Sequence, residues 1–222
     1  MKKILVVAAH PDDEVLGCGG TICRHVEGGD DVHLVLMADG ETSRESASFS
    51  SAHGRKSATL RAKEILGISS VVNLGYSDNM MDEFPLLQII KSLEDIIHML
   101  KPSVVYTHHY GDLNIDHRIT QQAVMTACRP IPNASVKEIY GFEVLSSTEW
   151  KSNSVIPFSP SLFIDISSHL KTKLLAAGAY NSEMIAAPHS RSVEHIEILA
   201  RHRGYSVGTN AAEAFEVYRV LK

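Results

Sequence analysis

The apolar run Ile4-Leu5-Val6-Val7-Ala8-Ala9 stops abruptly at His10-Pro11-Asp12-Asp13-Glu14, and this junction constrains the chain more than any other feature. A short, β-branched run with no alternating polar residue reads as a strand buried on both faces, the kind found in a parallel α/β sheet. The carboxyl end of such a strand opens into the crevice where ligands bind in open α/β sheets. Pro11 stiffens the turn. From Val15 onward, Leu16, Ile22 and Val26 follow a helical spacing. Gly17, Gly19 and Gly20 lie between them, small enough to let that helix pack closely on the sheet. One imidazole and three carboxylates therefore cluster at a predicted strand end and helix start.

The same alternation continues. A first helix is expected to about Glu27, a turn at Gly28-Gly29-Asp30, and a second strand from Asp31 to Ala38. The polar stretch Asp39 to Gly54 reads as a loop beside the crevice. A helix is expected from Arg55 to Leu66, closed by Gly67, and a third strand over Val71 to Leu74. Pro85 opens a helical pattern (Leu86, Ile89, Ile90, Leu93, Ile96, Ile97, Leu100) that ends before Lys101-Pro102. Val104 to Thr107 is the fourth strand. At its end comes a second polar cluster, His108-His109-Tyr110-Gly111-Asp112-Leu113-Asn114-Ile115-Asp116-His117, placed to share the first crevice. Further strands are expected near Ile139 to Phe142 and Leu162 to Ile166, with helices from Ser167 and Ser192. The pattern predicts an α/β, Rossmann-like three-layer fold with a mostly parallel sheet, and one domain over residues 1–222.

Composition narrows the function. The chain has 222 residues, 44% hydrophobic and 21% charged, which is ordinary for a globular protein. A net charge of -5 with no basic cluster argues against nucleic acid as a partner, because phosphate contacts need concentrated Lys and Arg. No apolar run reaches the length of a membrane span and no leader pattern opens the chain, so no membrane insertion and a cytoplasmic location are expected. Cys18, Cys23 and Cys128 form no CxxC pair and read as reduced, structural residues.

Hydrolytic zinc sites commonly draw three ligands from His, Asp and Glu and leave a position open for water and substrate. His10, Asp13 and His117 supply such a set. Asp12 is the adjacent carboxylate available to take a proton from water, and Asp116 is placed to orient a ligand ring. Strand alternation lets only one of His108 and His109 face the crevice, and His109 is the one expected there. Read alone, His10 to Asp13 could be a polar turn whose carboxylates cap the next helix; its pairing with Asp116-His117 after another buried strand favours a site. A dinucleotide site, with Asp39 as the acid after the second strand, fits less well. Gly17, Gly19 and Gly20 lie within the helix, no GxGxxG marks the turn, and Asp12, Asp13 and Glu14 would repel a pyrophosphate. Two-metal phosphoester hydrolysis needs more ligands than can be assigned. Hydrolysis of another amide or an ester stays open.

The His-Pro-Asp-Asp-Glu run after the first strand and the Asp-His pair after a later one resemble the LmbE/PIG-L family of metal-dependent deacetylases, which act on N-acetylglucosamine-type groups. The similarity extends to Asp39-Gly40-Glu41, Arg55, Thr107-His108-His109, Pro188-His189-Ser190-Arg191-Ser192 and Ala212-Glu213-Ala214-Phe215. The resemblance implies an LmbE-like fold, zinc held by His10, Asp13 and His117, and Asp12 as general base. It also implies that Arg55 contacts a small N-acetylated sugar. Iron(II) suits the same donor set. Some members carry a histidine three positions before the ligating one, suited to stabilising an oxyanion; here that position is Asn114, with His109, His108 and His189 as replacements. The acid that usually follows the arginine by three is Ala58 here. Asp39 is read as an acceptor for a substrate hydroxyl or as a loop cap, and His189 as a substrate contact or a loop brace. Self-association is left open, as is the group attached to the sugar.

Overall fold

The computed structural model describes residues 1–40, 49–152 and 156–222, with only the backbone of 49–53. Seven strands form one sheet in the order β3-β2-β1-β4-β5-β7-β6. They are β1 (Lys3–Ala8), β2 (Asp31–Ala38), β3 (Ser70–Tyr76), β4 (Val104–His108), β5 (Glu138–Phe142), β6 (Leu162–Asp165) and β7 (Ala212–Val220). β1 to β5 pair in parallel, whereas β7 runs antiparallel to both β5 and β6. The sheet is mostly parallel, as expected.

Because side chains alternate across a strand, each central strand feeds two cores. Ile4, Val6 and Ala8 of β1 and Val104 and Tyr106 of β4 pack on one face with α1 (Asp13–Glu27), α2 (Phe49–Leu66), α5 (Leu170–Ala179) and α6 (Val193–Tyr205). Leu5 and Val7 of β1 and Val105 of β4 pack on the other with α3 (Leu86–Leu100) and α4 (Ile115–Ala127). Helices on both faces make three layers. Gly17 and Gly20 set the depth of the first: a Cβ at Gly17 would collide with the Phe142 ring, and one at Gly20 would lie 2.8 Å from Ile166.

α1 is broken at Cys18, whose φ of -147° and ψ of 23° are not helical. The backbone groups freed by the break are satisfied from a distance. Lys173 Nζ on α5 donates to Leu16 O at 2.9 Å, while Glu213 on β7 accepts from the N–H groups of Gly20 at 2.9 Å and Thr21 at 2.7 Å. Lys173 and Glu213 are themselves 2.6 Å apart and almost fully buried.

Three features differ from the sequence reading. α2 begins at Phe49 rather than Arg55, because nothing between them breaks a helix and an interior Gly54 costs only about 1 kcal/mol relative to Ala. The rest of the expected serine-rich loop, residues 41–48, lies outside the described residues. Neither α4 nor β7 was expected from the sequence. The sheet order places β1 between β2 and β4, so chain connections leave β1 and β4 in opposite directions. That reversal opens a crevice at their carboxyl ends, where His10 and His108 stand.

Candidate metal centre

Two strand ends and two helix starts build the site. His10 follows β1, and Asp12 and Asp13 open α1; His108 ends β4, and Asp116 and His117 lie in the first turn of α4. Asn114 caps α4, its Oδ1 accepting the Asp116 N–H at 2.8 Å. Asp12 has φ 111° and ψ -27°, a left-handed conformation that costs a non-glycine residue of order 1–3 kcal/mol. Glu14 supports it by accepting the Asp12 N–H at 3.1 Å, and Tyr180 Oη donates to the same carboxyl at 2.7 Å.

The strained turn aims Asp13 at the imidazoles. Asp13 Oδ2 lies 3.3 Å from His10 Nδ1 and 3.2 Å from His117 Nε2. Ligands set tetrahedrally about a zinc ion at ~2.1 Å stand roughly 3.4 Å from one another, so these separations fit one small cation. The ligand atoms of His10, Asp13 and His117 all lie within 4.8 Å of one another. Carboxylates stand beside the far nitrogens. His10 Nε2 is 2.9 Å from Asp116 Oδ2 and 3.1 Å from Asp78 Oδ1, and His117 Nδ1 is 3.2 Å from Asp112 Oδ1. Carboxylates behind ligating histidines fix ring orientation and raise ligand basicity.

Charge tells the same story. Burial alone would lower both imidazole pKa values, but the surrounding carboxylates hold His10 well above its usual value and push His117 up to about 9. Asp13 is held well below the usual carboxylate range: burial opposes this, but His117, His10 and His108 outweigh it. The pocket therefore demands positive charge, which either protons or a divalent cation can supply. Asp12 goes the other way. Burial pushes its carboxyl up to about 7, with Asp13 and Glu183 adding to the rise and Arg191 opposing it; Arg191 Nη1 sits 3.1 Å from Asp12 Oδ2. His108 stays neutral, lowered chiefly by burial, and its Nε2 accepts the Ala9 N–H at 2.8 Å.

These groups surround a cavity of about 230 Å³, lined by His10, Asp12, Asp13, Arg55, Asn114 and His117 among others. Arg55 reaches it but is already engaged, donating to Gly40 O and to Glu183 Oε1. Asn114 reaches it with both ends of its amide used, since Nδ2 donates to Asn79 Oδ1 at 2.8 Å.

One expectation is corrected, and the other candidates are placed as follows. His109 turns away: its Nδ1 meets Glu216 at 2.7 Å and its Nε2 meets Ile156 O at 3.1 Å, so His108 is the histidine of the pair beside the site. Asp116 is fully buried behind His10, 2.9 Å from its Nε2, and does not line the cavity. Asp39 lines an adjoining hollow with Pro11, Arg55 and Asn73 rather than the cavity of the metal ligands. His189 lies in an outer hollow beside Trp150. Asp78, Asp112 and Glu183 were not singled out in the sequence. Asp78 follows β3 as His10 follows β1, so the rule that found the first cluster also applies to it.

Comparison with known proteins identifies the family. The PIG-L family, described as GlcNAc-PI de-N-acetylase, matches residues 5–128. The uncharacterized deacetylase YaiS of Escherichia coli is 34% identical over 79% of this chain and 88% of its own length. Diacetylchitobiose deacetylase of Thermococcus kodakarensis is 25% identical over 96% of this chain and 82% of its own. Among solved structures, N,N'-diacetylchitobiose deacetylase from Pyrococcus horikoshii superposes with a TM-score of 0.79 at 24% identity, covering 98% of this chain and 84% of that one. With its sheet order and strand-end donors, the chain belongs to the PIG-L family of metal-dependent deacetylases.

Proposed function

We propose that the protein is a zinc-dependent N-deacetylase of amino sugars or their conjugates, with the metal held by His10, Asp13 and His117 and with Asp12 as general base. The observation that carries this reading is the carboxylate pair at the start of α1. Asp13 is held ionised among three imidazoles, while neighbouring Asp12 is pushed up to about 7 and faces the same cavity. Two adjacent acids with separated pKa values can divide ligation from proton transfer. Zinc bound to this set would lower the pKa of a water towards neutrality and polarise an acetamide carbonyl.

The chain's own groups do the rest. Asp12, a buried carboxylate that lines the cavity beside the proposed ligand Asp13, accepts the proton of the attacking water. It then delivers that proton to the nitrogen of the amine as the carbon to nitrogen bond breaks, giving acetate and a free amino sugar. Arg191 holds the Asp12 carboxylate in place for both transfers. Arg55 presents guanidinium donors at the cavity wall to sugar oxygens. The buried, free cysteines suit a reducing cytoplasm. Among the described residues, no helix is long and apolar enough to cross a membrane.

The test is release of primary amine from N-acetylglucosamine derivatives by protein stripped of metal and reloaded with Zn²⁺. Asp12→Asn should keep one zinc per chain and lose at least about a hundredfold in kcat, the low end of a general-base contribution. His117→Ala should lose the metal first. A fully active Asp12→Asn protein overturns the assignment of the base.

A further inference from the structure

We propose that a second hollow, built around Trp150, binds the neighbouring pyranose of a disaccharide whose N-acetylated ring occupies the metal-site cavity. This rests on the amino-sugar reading above and assigns the substrate's second ring. The metal-site cavity, about 230 Å³, falls below the ~300–1,000 Å³ typical of small-molecule sites. It has room for one acetamido sugar, and whatever is joined to that sugar must lie outside. Next to it is an open hollow of about 550 Å³ lined by Glu149, Trp150, Pro188, His189, Ser190 and His195.

Both walls of this hollow are continuations of segments that line the metal site. Trp150 ends the short turn Thr148–Trp150, and that turn is anchored to the metal centre. Thr148 Oγ1 donates to Asp112 Oδ2 at 2.6 Å, Ser147 Oγ donates to Asp112 Oδ1, and Asp112 stands 3.2 Å from His117 Nδ1. On the opposite wall, His189 meets the Trp150 ring edge-on at 5.7 Å and 89°. Two residues on, Arg191 donates to Asp12 and to Ser146 Oγ. Ser146, at the metal-site cavity, donates its N–H to Ser190 Oγ, at the hollow, at 3.2 Å, so the two adjoin there.

Trp150 is the only tryptophan of the chain, and it is 51% exposed at this mouth. The half-exposed indole shares this hollow with apolar Pro188 and Ile198 as well as with polar Glu149, His189 and His195. The Glu149 carboxylate accepts from the Ser146 N–H at 2.6 Å and from Ser190 Oγ, which fixes it at the lip. An apolar face beside fixed hydrogen-bonding groups matches a pyranose, whose C–H face stacks on an aromatic ring while its hydroxyls need partners.

The single tryptophan reports directly on occupancy. Titrating zinc-loaded protein with the fully deacetylated disaccharide of glucosamine, which cannot turn over, should shift or quench its emission where calorimetry shows binding, and glucosamine alone should not. In kinetics, the kcat/KM advantage of N,N'-diacetylchitobiose over N-acetylglucosamine should fall about tenfold in Trp150→Ala, equivalent to ~1.4 kcal/mol. Trp150→Phe should keep most of it, and turnover of the monosaccharide should be unchanged in both variants. The proposal is overturned by unchanged emission with disaccharide bound, by absence of binding, or by an alanine variant that slows both sugars alike. It is also overturned if an octyl glycoside of N-acetylglucosamine, rather than the disaccharide, loses its advantage. Fluorescence needs no turnover, so an emission shift without amine release would refute the deacetylase reading and leave the subsite standing.

Discussion

Asp12 is the residue on which backbone and chemistry meet. Its carboxyl is buried beside Arg191, and its backbone is held at φ 111° by a hydrogen bond to Glu14, so the geometry of the proposed base is maintained against local strain. Replacing it separates the two. Asp12→Ala and Asp12→Gly both remove the carboxylate, but only glycine adopts this φ without steric cost. Denaturant unfolding of the metal-free proteins should show the glycine variant more stable by about 1 kcal/mol, and both should be inactive. Equal stabilities would mean that the turn relaxes once the carboxylate is gone. Asp12, His10, Asp13 and His117, which meet at one cavity, were legible because each lies within a run of polar residues at a strand end. The sequence reading did not single out Asp78, an acid in a loop whose partner His10 is tens of residues away, and it gave Asp112, inside the second cluster, no partner. For His108 and His109, alternation rightly said that one faces the site. Choosing between them required knowing that α1 packs on the face shared by Val104 and Tyr106, and sequence parity does not carry that information.

Among the elements, α1 does the positioning, and its break at Cys18 is what lets its first half carry the ligand turn while its second half lies along the sheet. The break is stable because Lys173 and Glu213 reach in from α5 and β7 to the backbone groups it frees. Removing one member leaves a buried charge and orphaned backbone groups, which typically costs 3–5 kcal/mol. Lys173→Met should therefore lower unfolding free energy by about that amount, although the residue touches no part of the cavity. A loss below about 1 kcal/mol, the range of exposed pairs, would show that solvent reaches the pair. β7 explains why this device was invisible. Ala212-Glu213-Ala214 has the composition of a helix, and it becomes a strand only because β5 and β6 offer it hydrogen-bonding edges on both sides. The parallel strands β1, β2 and β4 were legible because burial on both faces writes itself as uninterrupted apolar sequence.

At the scale of the whole molecule, the site couples metal, protons and stability. In the metal-free protein the His117 pKa is raised to about 9 and that of His10 is raised too, so near neutrality the folded state binds more protons than the unfolded chain. Stability from these groups is fully present below the unfolded imidazole pKa of about 6.5 and is lost as pH rises through about 9. Asp12 and Glu14, pushed up mainly by burial to about 7 and about 8, act in the same direction. A divalent cation requires neutral imidazoles and displaces those protons, so its binding strengthens over the same interval. Zinc at a thousand times its Kd would add about 4 kcal/mol to the folded state. The difference in Tm between zinc-loaded and chelator-treated protein should therefore widen steadily from pH 6.5 to 9. His117→Ala should abolish most of the widening. Lys173→Met, which leaves the ligands intact, should lower both melting temperatures and preserve it. A difference that stays constant with pH would show that the cation does not compete with protons on His10 and His117, and would remove those imidazoles from the ligand set.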